Sequence, residues 1–525
     1  MSVLGVDGSA EGSAEGSAEG SAEGSAEGSA ERAVSGVTSD SREVSAGSVF
    51  VALGGTKTQG ALFAGDAVKR GALAVICESA DRDRVRDAVE GQGREVKVIC
   101  HDSPRRAYAR LVREFTGDPS AKLDVIGVTG TNGKTTTAWV IKHLCDSVLK
   151  RCGLVGTIGY DTGAGVLPTD RTTPDVARAL GLLAQMRDNG CRAASMEVSS
   201  HAIHQDRVEG IKFTVGVFTN LTQDHLDYHG SMGAYFDAKA SWFLDETRFS
   251  RPRVSVVNMG DPYGQKLAEM LRAAGRKVVT YGGSYDSDYY AGIPQLRMNG
   301  TQFELSAEKK KFLVRTPFLG QFNVENVVAA IAAVRAVGVG IRESLDALQT
   351  VPPVPGRMEQ VGAQGGFRVI VDYAHTPDAL RKALITLRAL QPKRIITVFG
   401  CGGNRDTLKR PQMGAVAEEF SDLVAVTSDN PRDEDPAEIA KQVVAGMRGG
   451  PDRILVEVDR RKAIEMALRN ARRDDIVLIA GKGHESTQEV AGRLTDFSDG
   501  VAVRTILADL GGDLRRGPRG EGVSR

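Results

Sequence analysis

Apolar residues in this chain fall into short runs separated by helical and turn-rich segments, in three stretches of differing rhythm. Between residues 33 and 116, Ser48-Val-Phe-Val-Ala-Leu53 and Ala72-Leu-Ala-Val-Ile76 predict buried strands with short helices between them. From 117 to 353 apolar runs alternate with helical patterns, which predicts a mainly parallel sheet. The Pro-rich Val351-Pro-Pro-Val-Pro-Gly356 reads as a linker. Beyond it the strand–loop–helix rhythm returns to about residue 510, with strands predicted at 394–399, 423–427 and 476–480. At 525 residues the chain exceeds what one hydrophobic core holds. The expectation is an α/β protein with domains at 33–116, 117–353 and 354–525, the last Rossmann-like.

Residues 1–32 differ from the rest. A tandem GSAE repeat from Gly8 to Glu31 has nothing to bury and reads as a solvated arm. The closing Gly- and Arg-rich residues read as a frayed end. Lys+Arg and Asp+Glu both number 67, so the formal charge is zero, which argues against a nucleic-acid partner. Six scattered cysteines without CxxC spacing suit reduced thiols in a cytosolic protein. Met1–Asp7 lacks a signal-peptide pattern, and no apolar stretch is long enough to span a bilayer. These features predict a cytoplasmic protein without membrane insertion, expected to be a monomer.

The sharpest local signal is Asp124-Val-Ile-Gly-Val-Thr-Gly-Thr-Asn-Gly-Lys-Thr-Thr136, followed by a helical pattern to Leu149. An apolar strand runs into a Gly-rich turn and then a helix N-terminus, where backbone N–H groups and partial positive charge favour phosphate. The expected cradle comprises Gly130, Thr131, Asn132, Gly133, Lys134, Thr135 and Thr136. Lys134 is placed to neutralise β- and γ-phosphates, and the Thr135 hydroxyl to ligate Mg²⁺. The spacing is one step short of the common Walker pattern, which would need glycine at Val128. Strand before and helix after still predict a P-loop-type ATP-binding central domain.

Eleven motifs follow one another in order from Thr38 onward. They are Thr38-Ser-Asp-Ser-Arg42, the loop Gly127–Thr136, Thr172-Thr-Pro-Asp175, Met196-Glu-Val-Ser-Ser-His201, Phe218-Thr-Asn-Leu221 with Asp224-His-Leu-Asp-Tyr-His229, and Tyr235-Phe-Asp-Ala-Lys239. Later come Gly320-Gln-Phe-Asn-Val-Glu-Asn326, Asp372-Tyr-Ala-His-Thr-Pro377, Gly400-Cys-Gly-Gly-Asn-Arg-Asp406, Asp429-Asn-Pro-Arg432 and Gly481-Lys-Gly-His-Glu485. Together they resemble the Mur ligase family across nearly the whole chain. The resemblance implies a ligase that uses ATP and Mg²⁺ to phosphorylate a carboxylate, then lets an amine displace phosphate from the acyl phosphate. Like charges must then be neutralised by metal and fixed cations.

By that resemblance Lys134, Glu197, His225 and Lys239 are the catalytic set. Thr135, Glu197, His225 and Lys239 are implied to hold Mg²⁺, Lys239 as a carbamate. Asn326, Arg357, Asp372 and His375 are implied contacts to the nucleotide. Ser39, Ser41 and the loop 55–58 would hold a uridine diphosphate end, and Thr172, Thr173, Ser199, Gln205, Arg207 and Lys239 a muramoyl-dipeptide. Arg171 stands where the family pattern has asparagine, and Thr56-Lys-Thr58 lacks the usual polar pattern.

The loops 400–405, 429–432 and 481–485 each follow an apolar strand. Parallel α/β sheets bind ligands beyond the carboxyl ends of their strands, so one pocket is expected from Arg405, Asp429, Asn430, Pro431, Arg432, Gly481 and Glu485. Arg405 and Arg432 offer forks for carboxylates, and Glu485 and Asn430 acceptors for an ammonium. A zwitterionic centre fits this set. With Asp-Asn-Pro-Arg as the family's marker, the resemblance implies meso-diaminopimelate added to UDP-N-acetylmuramoyl-L-alanyl-D-glutamate. An L-lysine-adding ligase, a folylpolyglutamate-type synthetase and a P-loop ATPase acting on a protein partner are the alternatives.

Overall fold

Largely apolar runs make strands buried on both faces, and the central ones do so here apart from the half-buried Asp124, Val278 and Val279. A computed structural model describes residues 33–515, apart from 55–58, 91, 94, 150, 170 and 298, with side chains described to Leu510. The GSAE arm, the loop 55–58 and the closing residues beyond 515 lie outside the described residues.

The first sheet has four parallel strands in sequence order: Gly36–Thr38, Ser48–Val51, Ala74–Cys77 and Lys97–Cys100. Val49, Val51, Ala74 and Ile76 on one face share a core with the helices Pro104–Phe115 and Val176–Asp188. That shared core fixes this sheet against the central one.

In the central sheet, Val278–Tyr281, Val254–Asn258, Val215–Phe218, Asp124–Thr129, Ala193–Glu197 and Cys152–Gly156 lie side by side, all parallel. Antiparallel Gly159–Asp161 and Val166–Leu167 extend one edge; on the other Tyr289–Ala291 adds parallel, and Gly300–Ala307 and Lys310–Thr316 continue antiparallel. The sequence reading anticipated the parallel centre without these flanks. The helices Lys134–Leu149 and Gln321–Arg335 cover one face and Val176–Asp188, Met232–Leu244 and Pro262–Ala273 the other. Fully buried Val128, Ile141, Val217 and Ile331 contribute about 1.5–3 kcal/mol each by leaving water.

The third sheet runs Glu359–Gln364, Phe367–Asp372, Ile476–Ala480, Ile395–Phe399, Leu423–Val426 and Ile454–Val456, all parallel after the first. Helices pack on both faces, so the domain is doubly wound. Its carboxyl strand ends face the central sheet's phosphate loop across a cleft. Among the described residues no helix is long and apolar enough to cross a membrane.

Candidate active site

The strand Asp124–Thr129 stops at Gly130, whose φ of +146° opens the turn. A Cβ there would fall 1.9 Å from Thr219 Oγ1, so only glycine fits. Asn132 N–H donates to Asn220 Oδ1 at 3.0 Å, and the Thr131 hydroxyl lies 3.1 Å from Tyr235 OH. The helix begins at Lys134, which curls back to donate to the Gly130 and Thr131 carbonyls at 2.9 and 2.8 Å. Burial pushes the Lys134 pKa down, against the pull of Glu197 and Asp224. An anion in the loop would therefore meet a cation already poised over it.

Next to Lys134, the Thr135 hydroxyl donates to Glu197 Oε2 at 2.9 Å. Glu197 is buried at the end of its strand, and its other oxygen accepts from Thr157 N–H at 2.8 Å. Lys239, fully buried on the helix Met232–Leu244, donates to Gly130 O at 3.0 Å. Burial and then the Lys134 charge hold its pKa well below the ordinary lysine value. His225 takes a left-handed φ of +54° and sets Nε2 3.5 Å from Asp224 Oδ2. Burial drops its pKa to about 4, leaving a neutral imidazole with a free lone pair.

Thr135 and Glu197 offer adjacent hard oxygens, which suits Mg²⁺. Among the described residues no group of three or more His, Cys, Asp or Glu side chains gathers to hold a metal. The donor set therefore fits an ion that keeps waters and phosphate oxygens as its remaining ligands. Lys239 as an ammonium would repel that ion; as a carbamate it would not.

The linker and third domain reach the same loop. Arg357 Nη2 donates to Thr135 Oγ1 at 3.2 Å, and its guanidinium lies 4.1 Å over the Tyr373 ring. Its Nε is buried without a hydrogen-bond partner among the described residues. Asn132 Nδ2 donates across the cleft to Asp378 Oδ2 at 3.2 Å. Asn326 is buried beside the loop's helix, 3.3 Å from the Thr137 hydroxyl. Asp372 accepts from the amides of Met358 and Ala374 at 2.7 and 2.9 Å, while burial raises its pKa. His375 lies in the wall of the cleft, its pKa lowered by burial.

Thr172, Thr173, Ser199, Gln205 and Arg207 gather beside Glu197. Thr173 Oγ1 donates to Glu197 O at 2.8 Å and accepts from Ser199 N–H at 3.1 Å. Thr172 and Thr157 share a hydroxyl contact at 3.1 Å, and Arg207 donates to Thr173 O at 3.1 Å and to Gln205 Oε1 at 2.5 Å. Ser39 and Ser41 stand apart in the first domain, Ser39 against Tyr108.

A cavity of about 470 Å³ separates the central and third domains. Asp224 and His225 line one wall; Arg405, Asp429, Asn430, Arg432, Gly481 and Glu485 line the other. Pro431 is buried, with its carbonyl 1.9 Å from where a Gly403 Cβ would stand. Asn430 departs from the sequence reading. Its Oδ1 already accepts from Lys482 Nζ at 3.0 Å and Glu489 N–H at 3.1 Å, so its amide N–H₂, which bonds Glu485 Oε2 at 3.0 Å, is the group left to face a ligand. Asn430 is therefore a donor here, and of the two Glu485 is the acceptor. Lys482, fully buried and 2.8 Å from Glu485 Oε2, was missed. It stands inside a quoted motif, but a lysine between glycines gives no sign of burial.

Three family descriptions match in chain order: "Mur ligase family, catalytic domain" at 33–116, "Mur ligase middle domain" at 128–334, and "Mur ligase, glutamate ligase domain" at 356–483. The chain belongs to the Mur ligase family. Within it, a UDP-N-acetylmuramoyl-L-alanyl-D-glutamate–2,6-diaminopimelate ligase of Geobacillus thermodenitrificans (strain NG80-2) is 41% identical over 473 residues, 90% of this chain and 94% of its own. The ligase of the same name from Xanthomonas campestris pv. campestris (strain 8004) is 42% identical over 488 residues, 92% of this chain and 96% of its own. A solved structure bearing that name superposes with a TM-score of 0.65 at 35% identity, covering 91% of this chain and 95% of the other.

Proposed function

We propose that this chain joins meso-2,6-diaminopimelate to UDP-N-acetylmuramoyl-L-alanyl-D-glutamate at the expense of ATP, in cytoplasmic peptidoglycan precursor synthesis. A glutamyl carboxylate oxygen attacks the γ-phosphorus, releasing ADP and leaving an acyl phosphate. The diaminopimelate amine then attacks the acyl carbon, phosphate departs, and the nitrogen loses a proton to give the amide. Phosphoryl transfer asks for positioning and charge neutralisation more than covalent help.

Lys134 and the loop amides would hold the triphosphate, with Arg357 at the Thr135 edge. Mg²⁺, when bound, supplies charge neutralisation between phosphate and carboxylate; Thr135 and Glu197 would hold it, joined by His225 and a carbamylated Lys239. Thr172, Thr173, Ser199, Gln205 and Arg207 would seat the muramoyl-dipeptide beside Glu197, and Ser39 and Ser41 the uridine end.

One observation carries the reading: the third-domain guanidinium groups and Glu485 share a cavity with Asp224 and His225 of the nucleotide domain. A P-loop switch acting on a protein has no use for a wall of guanidinium and carboxylate groups opposite its phosphates. The proposal takes the protein as a monomer, and six free cysteines suit a reducing cytoplasm.

The test is phosphate release with ATP and Mg²⁺, adding the UDP-dipeptide and diaminopimelate singly and together. Release that requires both supports the ligase. Release with neither returns the P-loop ATPase, and equal use of L-lysine returns the lysine-adding reading.

A further inference from the structure

Of the three strand ends that build the acceptor wall, two do not touch. Leu423–Val426 leads to Asp429, Asn430 and Arg432, and Ile476–Ala480 leads to Gly481, Lys482 and Glu485. Ile395–Phe399 lies between them in the sheet. Each is laddered to that middle strand and not to the other, so any direct tie between the two ends comes from side chains.

Arg460 supplies it. At the start of the helix Arg460–Asn470 it is 1% exposed, and its guanidinium spans the gap. Nη1 donates to Ser428 O at 3.2 Å, beyond the first strand, and Nη2 donates to Ala480 O at 3.0 Å, the last residue of the second. Nε and Nη2 also donate to the two Asp499 oxygens at 2.7 Å each, and Asp499 is fully buried. Four hydrogen bonds in one rigid fork are beyond a lysine, whose charge is a point on a flexible stem. Above this tie, Asn430, Lys482 and Glu485 bond one another directly.

Resting on the proposed function, we infer that Arg460, held by Asp499, is a positioning residue that sets the distance between the carboxylate-binding and ammonium-binding sides of the amino-acid pocket. A zwitterionic centre presents its two charges at a fixed separation, so a wall of set width discriminates where a loose one does not. Arg460 touches no substrate; it acts through the carbonyls that precede the binding loops.

The test compares Arg460→Met/Asp499→Leu, which replaces the buried pair by apolar side chains, with Arg460→Lys. Such exchanges of a whole buried ion pair are tolerated by folded proteins. The double variant should raise the KM for diaminopimelate by about tenfold or more and lower the diaminopimelate-to-lysine ratio of kcat/KM, with KM for ATP and UDP-dipeptide within about twofold. Arg460→Lys should fall between, since one ammonium cannot span both carbonyls and Asp499. A folded double variant with an unchanged diaminopimelate KM overturns the inference, as does an equal rise in all three KM values. If the double variant fails to fold, Arg460→Lys decides alone, a selective diaminopimelate KM rise supporting the role and a wild-type KM overturning it. A wild-type enzyme that uses no diaminopimelate sinks the proposed function instead, and the two failures are separable.

Discussion

Gly133 and Asn326 stand so close that a Cβ on the glycine would lie 2.3 Å from Asn326 Oδ1. Gly133 also holds φ at +88°, which costs a side chain about 1–2 kcal/mol. Gly133→Ala should therefore both strain the loop and displace Asn326 from the Thr137 hydroxyl. The expected result is a lower thermal midpoint and a KM for ATP raised about tenfold or more, the fold-change that 1.4 kcal/mol of lost binding gives. A midpoint and KM at wild-type values would contradict it.

Lys239 is buried against Gly130 O with its amine driven towards the neutral, nucleophilic form. Incubation with bicarbonate should raise the intact mass by one CO₂, assigned to Lys239 by peptide mapping under non-acidic conditions. Lys239→Ala should lower kcat by about 10²–10³-fold, as loss of one transition-state charge contact does. An unmodified enzyme of full activity would remove the carbamate from the mechanism.

Arg432 is braced by Gly403 O at 2.7 Å and by Glu489 at 3.4 Å, with φ at +54°. Arg432→Ala removes a charge-assisted contact worth about 1.5–3 kcal/mol. Competition between diaminopimelate and lysine should show kcat/KM for diaminopimelate falling by about 10–100-fold while lysine use stays near its wild-type level. Parallel loss for both amino acids would place Arg432 outside substrate choice.

Glu209 lies where the helix Pro104–Phe115 meets the central domain. Its side chain is 7% exposed, Arg106 is 3.8 Å away, and Oε2 has no hydrogen-bond partner among the described residues. Burial, with Asp206 adding to it, raises its pKa from 4.5 to about 7 against the pull of Arg106, Arg110 and Arg248. Between those values the folded state binds more protons than the unfolded one, so stability falls as pH rises from 4.5 to 7 and then levels. The full cost is up to about 3 kcal/mol above pH 7. Glu209→Gln should raise the thermal midpoint at pH 8 more than at pH 5. The reverse order would show that the carboxylate is stabilised there by its arginines.

Much of this was legible in the chain. Buried parallel strands such as Asp124–Thr129 and Ile476–Ala480 are largely apolar runs, and the helix opening at Lys134 follows from the glycine turn before it. The strands Gly300–Ala307 and Lys310–Thr316 escaped because their buried positions are interleaved with exposed charged ones. Arg410 and Arg460 escaped for a different reason. An arginine in a helix reads as solvated, and only the folded chain brings Asp499 to Arg460 from 39 residues away, or Glu434 to Arg410 from 24. The nucleotide-loop residues were readable as a local string, whereas the acceptor wall depends on partners that no local string contains.

The bond from Asn132 to Asp378 gives the phosphate loop a rim made by two bodies. Breaking that contact parts the two bodies, and such a hinge motion is the expected exit step for spent nucleotide. Thickening the medium with an inert viscogen should slow turnover even where every chemical step is untouched.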